Sequence, residues 1–567
     1  MSEPQTPAKS MPGPLRIGVL APPGLEFEFW ERRLLEKLAA DPRFEISALI
    51  IDGREPPQRK TLLQRLRNPR LANIAIRRAT SLFDRRAMSP EPIIEAPTFE
   101  DQIASIPHLT VKPVKRGHVD RFTPDDVAAI RDLGLDVLLR HAFAILKGDI
   151  LDAARFGVWS FHHGDNTVNR GSPPGYWESA YSQPWTGATL QVLTEELDGG
   201  KVIARCWRST EPNAERNCRA IYDLSVSLIW RELERLAETR ALETEISPLY
   251  DGPLYVEPTF TESLGYLTKR IANSLGGLRH KLDHHLGRRP SMWQLAIGRG
   301  PIETAALWRT KPIEPPADRF WADPFLIERD GRTYCFFEEY DYPTGRAWIA
   351  AGIINGNDLE YLGRAVDTGY HMSFPFVIAH EDEIYMIPET AAQSRVEIWR
   401  AVDFPLKWEL HRTALDGVNA ADTVLLENEG QWWMFTNISS TIEPDYCNEL
   451  HVFMVDGPAL REITPHPENP VVIDAHTARN AGRPFIRDGR IFRPSQVNNF
   501  GIYGYALNLM EITELTPTHY SETVAFQATP SFHPGIIATH HFDCLGDTFI
   551  IDMCRKVGGR GKTRPTD

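Results

Sequence analysis

Cysteine is scarce in this chain of 567 residues: there are six, Cys206, Cys218, Cys335, Cys447, Cys544 and Cys554, and no two form a CxxC pair. That scatter speaks against a disulfide framework and a cysteine zinc site and fits reduced, buried thiols, so no metal is expected. No stretch of about 18 apolar residues is present, so no segment reads as a membrane-spanning helix. The opening residues, MSEPQTPAKSMP, lack the apolar run of a secretory signal, and the expectation is a disordered tail and a cytoplasmic protein. Basic residues are outnumbered, 62 Lys and Arg against 76 Asp and Glu, for a formal charge of −14. Nucleic acid is therefore not expected as a partner, since neutralising phosphates needs a concentrated basic surface. A GxGxxG fingerprint is also missing, so nothing indicates a nicotinamide cofactor.

What is present is enough for more than one core. We expect a tail over 1–13, an α/β domain over 14–240, a linker over 241–290, an all-β domain over 291–555 and a second tail over 556–567. In the first domain Arg16 to Ala21 reads as an apolar strand, a helical run follows through Trp30, Leu34, Leu35 and Leu38, and Glu45 to Ile51 is a second strand. Strands alternating with helices predict a doubly wound parallel sheet of Rossmann type. Thr123 before Pro124 has the chemistry of an N-cap and first helical turn, and a strand at Asp136 to Arg140 comes next. Between Arg59 and Arg86 a basic amphipathic run holds Arg65, Arg67, Arg70, Arg77, Arg78 and Arg85. It is either a solvated face or a peripheral contact to an anionic membrane or phosphorylated substrate.

The most informative stretch is 134–203. It reads GLDVLLRHAFAILKGDIL, then GVWSFHHGDNTVNRGSPPGYWE, then TGATLQVLTEELDGGKVI. In order, these pieces resemble the active-site skeleton of the formyltransferase family of glycinamide-ribonucleotide, methionyl-tRNA and sugar type: a D-V strand running to an I-L loop, a G-x-x-N-x-H turn, R-G, W, T-G-x-T and L-D-x-G-x-I/V. Only the asparagine lacks a counterpart; Ser160 stands there. The resemblance implies 10-formyltetrahydrofolate as the formyl donor, His162 as the catalytic histidine and Asp198 as the catalytic aspartate. It also implies a folate pocket along Arg140 to Leu146, with Phe143, Ile145 and Leu146 as lining candidates unless they are strand-end core. A histidine suits proton shuttling near neutral pH, and a carboxylate can hold its tautomer. An asparagine amide would donate to the oxyanion; with Ser160 in its place, either His163 substitutes as auxiliary donor or the site only binds. Arg170, in a loop rich in Gly and Pro, is placed to meet a substrate phosphate or carboxylate, or else to form a structural ion pair.

Leu264, Leu267, Ile271, Leu275, Leu278 and Leu282 fall at helical spacing, predicting an amphipathic helix packed between the two halves, with His280, His284 and His285 at its end. Beyond it the chain repeats itself: ADPFLIERDGRTYCFFEEY from Ala322, SFPFVIAHEDEIYMIPET from Ser373, ADTVLLENEGQWWMFTN from Ala421, AGRPFIRDGRIFRPSQ from Ala481, and a weaker copy, GIIATHHFDCLGDTFIIDM, from Gly535. An apolar strand, a tight polar turn and an aromatic-rich strand, recurring about every fifty to sixty residues without helices, predict a five-bladed β-propeller, with Trp293 to Ile297 as a candidate closing strand; a β-sandwich or β-helix explains the period less well. The aligned positions Asp323, Phe374, Asp422 and Arg483, and Glu338, Glu389, Asn437 and Gln496, would then surround a polar cavity. Carboxylates gathered there suit sugar chemistry, either as binding groups or as an acid and base pair, although Asp323 and Asp422 could instead cap turns. This half resembles the five-bladed propellers of furanoside-acting glycoside hydrolases and, more closely, the N-terminal domain of plant glucosamine inositolphosphorylceramide transferases. The functional expectation is formyl transfer to the amino group of a sugar or sugar nucleotide, with the propeller binding carbohydrate through Asp323, Glu338, Glu389, Asp422 and Arg483. The competing expectation places glycoside hydrolysis or glycosyl transfer at the propeller carboxylates.

Overall fold

The computed structural model of the chain describes residues 13–54, 71–86, 88, 101, 103–196, 199–247, 250, 252–285 and 291–556. The two expected tails, apart from Gly13 and Lys556, and the basic run from Arg59 to Arg70 lie outside these residues. The chain divides into two compact units, Met1–Tyr181 with Thr186–Cys206 and Asn213–Gly265, and Ser182–Trp185 with Trp207–Pro212 and Tyr266–Asp567.

The main sheet of the first unit is built from β1 (Leu15–Ala21), β2 (Phe44–Asp52), β3 (His108–Val111), β4 (Val137–Arg140), β5 (Val158–His162), β6 (Trp185–Val192), β7 (Lys201–Ser209) and β8 (Glu245–Ile246), in the order β8-β7-β6-β5-β4-β1-β2-β3. The pairs from β5 to β3 are parallel, and β6 turns antiparallel on β5. Such a sheet is covered on both faces, and β1 accordingly buries every residue but Arg16. The approach is close: a Cβ on Gly18 would lie 2.4 Å from Leu135. Helix α1 (Phe29–Ala40) buries Trp30, Leu34, Leu35 and Leu38. Helix α2 (Leu71–Arg85) pairs Arg77 with Glu257 and Arg85 with Glu215, so these two members of the basic run are spent within the protein. Thr123 caps α3 (Pro124–Arg131), its hydroxyl accepting from the Asp126 N–H at 3.1 Å. The short strands at Glu245–Ile246 and Leu254–Tyr255 pair with β7 and with Arg170–Gly171, which ties much of the expected linker into this unit.

The expected amphipathic helix forms over Phe260–His285, but its apolar stripe is not packed away: Leu264, Ile271, Leu275, Leu278 and Leu282 are all exposed. Spacing alone fixed the helix and not a partner for it. The side chains of His280, His284 and His285 lie outside the described residues. No described helix is long and apolar enough to cross a membrane.

Among its described residues the second unit holds five antiparallel sheets, four of them contiguous in sequence: Arg319–Val366, Ser373–Ala414, Ala420–Pro465 with Val472–Ile473, and Phe485–Ala528. The fifth joins both ends of the unit, because Ser291–Arg299 pairs antiparallel with Thr548–Lys556. The repeat seen in the sequence has a backbone counterpart. In the first three sheets the opening strand slips register at the same place, skipping Asp323 and Pro324, Phe374 and Pro375, and Asp422 and Thr423. The first residue of each slip adopts a left-handed φ, 51° at Asp323, 47° at Phe374 and 51° at Asp422. Aspartate tolerates this conformation well; a bulky phenylalanine does not, and burial at 1% exposure holds it there. Packing of Phe325, Phe376, Ile387 and Phe435 supplies the core between these sheets.

Candidate functional site

Successive side chains on a strand face opposite ways, so Ser160 and His162 share one face of β5 and Phe161 the other; His163 follows the strand and stacks with Phe161. Ser160 and His162 line a single cavity of about 150 Å³ together with Arg140, Ile145, Leu146, Gln191 and Glu195. His162 is held by a relay: its Nε2 lies 2.8 Å from the Asn169 carbonyl, and the Asn169 amide donates to Glu178 Oε1 at 2.9 Å. A carbonyl only accepts, so Nε2 carries the hydrogen and Nδ1 of the neutral ring keeps its lone pair. Burial raises the Glu178 carboxyl above its ordinary range. Ser160, 4% exposed, accepts from Arg140 Nη1 at 3.1 Å.

Three other candidates stand elsewhere. His163 is packed against Tyr222, Phe161 and Trp30, with ring centroids 4.2, 5.1 and 5.3 Å away, and Nε2 has no hydrogen-bond partner among the described residues. Burial, with repulsion from His162 and His141, pushes its pKa down to about 3. It is a neutral ring packed among aromatic side chains and is not in the lining of the cavity, so it is not an auxiliary donor there. Phe143 has a left-handed φ of 70° and packs on Phe122, outside the lining of the cavity, whereas Ile145 and Leu146 belong to that lining. Arg170 donates to the Asn166 carbonyl at 3.0 Å and covers the Tyr250 ring at 4.6 Å, a structural placement. Asp198 lies outside the described residues. Sequence reasoning missed Arg140, Asn169 and Glu178; all three fall inside the 134–203 stretch, but their roles depend on non-local contacts that no spacing reveals.

In the second unit the register pairs Ala322 with Glu338, Ser373 with Glu389 and Ala421 with Asn437, so the aligned sequence positions are equivalent in structure. Asp323, Glu338 and Asp422 are buried. Burial, then the neighbouring carboxylates Asp323 and Glu389, raises Glu338 well above the carboxylate range, and His371 lies 3.5 Å from it. Glu389 is raised by burial and by Asp422; it accepts from Ala391 N–H at 2.7 Å and Ser373 hydroxyl at 3.2 Å. Asp422 accepts from Arg479 Nε at 2.6 Å. The weak fifth repeat hid the rest of this cluster: His540, stacked on Trp293 with centroids 4.1 Å apart, and Asp552, 2.6 Å from His540 Nδ1. Arg483 differs from expectation. It binds Asp543 at 3.2 Å and the carbonyls of Leu326 and Val377 at 3.1 and 2.8 Å, a clamp between strands and not a ligand contact. Asn437 and Gln496 likewise donate to backbone carbonyls.

Asp323, His540 and Asp552 offer ligand atoms within 4.8 Å of one another, the one such metal-capable group among the described residues. Asp552 is already engaged, however: Oδ1 accepts from the backbone of His540 and His541, and Oδ2 meets the His540 ring and the Asp323 N–H. That leaves His540 Nε2 and Asp323 Oδ1, 3.8 Å apart, short of a usual ligand set. Asp323 itself is pushed up to about 7, chiefly by burial and then, against the attraction of His540, by Asp552 and Asp422. Between its ordinary value of 3.8 and about 7 the folded chain keeps a proton that the unfolded chain has lost, so this contribution to stability is complete below about 3.8 and disappears as pH rises through 7. The loss runs at up to about 1.4 kcal/mol per pH unit. Thermal melts should therefore show Asp323→Asn gaining on the wild type between pH 5 and pH 8; a constant gap would contradict the assignment.

Residues 293–533 match the family described as glucosamine inositolphosphorylceramide transferase 1, N-terminal. Glucosamine inositolphosphorylceramide transferase 1 of Oryza sativa subsp. japonica is 34% identical over 227 residues, 39% of this chain and 30% of the rice protein. The Arabidopsis thaliana protein of the same name is 30% identical over 268 residues, 43% of this chain and 35% of its own length. The chain thus spans about a third of the length of these relatives. A methionyl-tRNA formyltransferase of Deinococcus radiodurans is 28% identical over 153 residues, 26% of this chain and 46% of that enzyme. Among solved structures, phosphoribosylglycinamide formyltransferase from Anaplasma phagocytophilum matches with a TM-score of 0.28 and 15% identity, over 43% of this chain and all of its own. The family 117 glycoside hydrolase Zg3597 of Zobellia galactanivorans matches at 0.31 and 10%, over 47% of this chain and 90% of its own.

Proposed function

We propose that the chain is a transferase that moves a formyl group from 10-formyltetrahydrofolate to the amino group of a sugar or sugar nucleotide, with the second unit binding the carbohydrate. One observation carries the reading: Ser160, His162, Ile145 and Leu146, dispersed over eighteen positions of sequence, line one cavity. The donor supplies an activated formyl carbon. The protein's part is to place an amine beside it, accept the amine's proton at His162 Nδ1, and stabilise the charge that gathers on the formyl oxygen. The relay through Asn169 and Glu178 fixes the ring so that Nδ1 is the available base. Asp198, outside the described residues, enters this reading only through the formyltransferase resemblance, as the catalytic aspartate.

In the same reading the five sheets are blades of a ring closed by the pairing of Ser291–Arg299 with Thr548–Lys556. Hydrogen bonds between neighbouring sheets support this: Phe374 N–H to Asp323, Leu326 N–H to Asp543 and the Asn480 amide to the Asp422 carbonyl. Asp323, Glu338, Glu389 and Asp422 then face the axis as sugar-binding groups.

A second reading puts the chemistry at that axis. It is favoured by the pairing of a carboxyl raised to about 7, Asp323, with the depressed carboxylate Asp552, as acid and base catalysis on a glycoside would use. Steady-state assays with 10-formyltetrahydrofolate and glucosamine, and with aryl glycosides, separate the two. Formyl transfer that is lost in His162→Ala and shows only a raised acceptor KM in Asp323→Asn supports the first. Glycoside turnover lost in Asp323→Asn and indifferent to His162→Ala overturns it.

A further inference from the structure

Arg140 ends β4 with its guanidinium in the wall of the Ser160 and His162 cavity. Nη1 donates to Ser160 Oγ at 3.1 Å, and Nη2 to the carbonyls of Phe143 and Ala144, each at 3.0 Å. Nε is buried with no hydrogen-bond partner among the described residues. No described carboxylate hydrogen-bonds to this cation. Asp120, the charge that acts on it, is committed to Arg54 at 2.5 Å and to the Ala144 N–H at 2.7 Å. A buried guanidinium without an anion is costly, and negative charge arriving in the cavity would relieve that cost. Ser160 shows where such charge would be met. By accepting from Arg140 it uses a lone pair and keeps its own hydrogen, whose acceptor in the protein is the Phe161 carbonyl at a long 3.4 Å. A hydroxyl polarised by a cation and left with a weak acceptor is a ready donor.

We infer that Arg140 is a positioning residue for oxyanion stabilisation: it holds and polarises Ser160 so that the hydroxyl donates to the formyl oxygen in the cavity. The inference rests on the formyl-transfer reading. As the amine nitrogen bonds to the formyl carbon, the carbonyl π pair moves onto oxygen, where Ser160 O–H meets it, and the amine proton passes to His162 Nδ1. The oxygen pair then re-forms the carbonyl, the bond from carbon to the folate nitrogen breaks, and that nitrogen takes the proton from His162. Arg140 exchanges no proton and touches no reacting atom.

The test is steady-state kinetics with 10-formyltetrahydrofolate and glucosamine for Arg140→Met, Arg140→Lys, Ser160→Ala and the Arg140→Met, Ser160→Ala pair. Loss of one oxyanion donor should lower kcat by about 10²- to 10³-fold in Arg140→Met and in Ser160→Ala, with KM for the donor within about threefold. Because the two act as one unit, the double variant should be no slower than the slower single. Ser160→Asn placed on Arg140→Met should regain activity, since an amide donates without help from a cation. If methionine does not fold at this position, Arg140→Lys carries the test through a lower kcat at unchanged KM. A wild type that transfers formyl while Arg140→Met keeps its kcat, or changes only KM, overturns this inference alone. A folded wild type without formyl transfer overturns the reading beneath it as well.

Discussion

His162→Ala is expected to lower kcat for formyl transfer by about 10²- to 10⁴-fold, the usual worth of a positioned acid or base. The ring is fixed through Nε2 by the Asn169 carbonyl, which in turn is placed by the Asn169 amide on Glu178, itself 2% exposed. This leaves Nδ1 as the one nitrogen able to take the amine's proton. Alanine removes that base but leaves Ser160, Arg140, Ile145 and Leu146 in the wall of the cavity. KM for the formyl donor should therefore change little while kcat falls. Asn169→Asp is a gentler probe of the same relay, because the backbone carbonyl remains but the amide hydrogen that tethers it to the Glu178 carboxyl is lost. An effect of His162→Ala on KM alone would show that the residue binds and does not move protons.

Arg493→Met is expected to cost the second unit about 3 to 5 kcal/mol, the penalty for leaving one partner of a buried ion pair uncompensated. Arg493 is fully buried, and its guanidinium bonds Glu522 at 2.9 and 2.6 Å, Asn480 Oδ1 at 3.0 Å and the Thr477 carbonyl at 2.7 Å. Tyr520 adds its hydroxyl to Glu522 at 2.6 Å. Without the cation, the Glu522 carboxylate stays buried with a single neutral donor from this group, and Asn480, which also bonds the Asp422 carbonyl, loses an anchor. Urea titration should show the loss. Pairing Arg493→Met with Glu522→Gln should destabilise by less than the two singles combined, since both remove the same interaction. Strict additivity would mean that the two side chains do not act as a pair.

How far these sites could be read from the sequence differs residue by residue. Thr123 capped its helix as its chemistry predicts, because capping is local. The repeats were visible because each copy carries its own strand, turn and strand. The left-handed slip at Asp323, Phe374 and Asp422 was not, although it falls at the aligned position, since phenylalanine gives no local signal for such a conformation. His163 follows β5 and packs among Phe161, Trp30 and Tyr222, and adjacency to His162 in sequence does not reveal that placement. Arg483 reads as a ligand-facing charge from alignment, yet its partners are carbonyls 157 and 106 residues away, a relation no local pattern encodes. Arg140 stands inside its motif with no local sign of a task, because its partner Ser160 lies on the next strand. The Leu264 to Leu282 stripe shows the limit from the other side: helical period fixed the helix, while burial depends on what meets it.

The most direct test of formyl transfer is calorimetric titration of the full chain with a stable analogue of 10-formyltetrahydrofolate, with His162→Ala in parallel. Binding in the micromolar range by the wild type, kept within a few-fold by His162→Ala, is the result expected of a donor site in which His162 moves protons. Absence of binding by folded wild-type protein would contradict it and shift the chemistry to the carboxylates around Asp323.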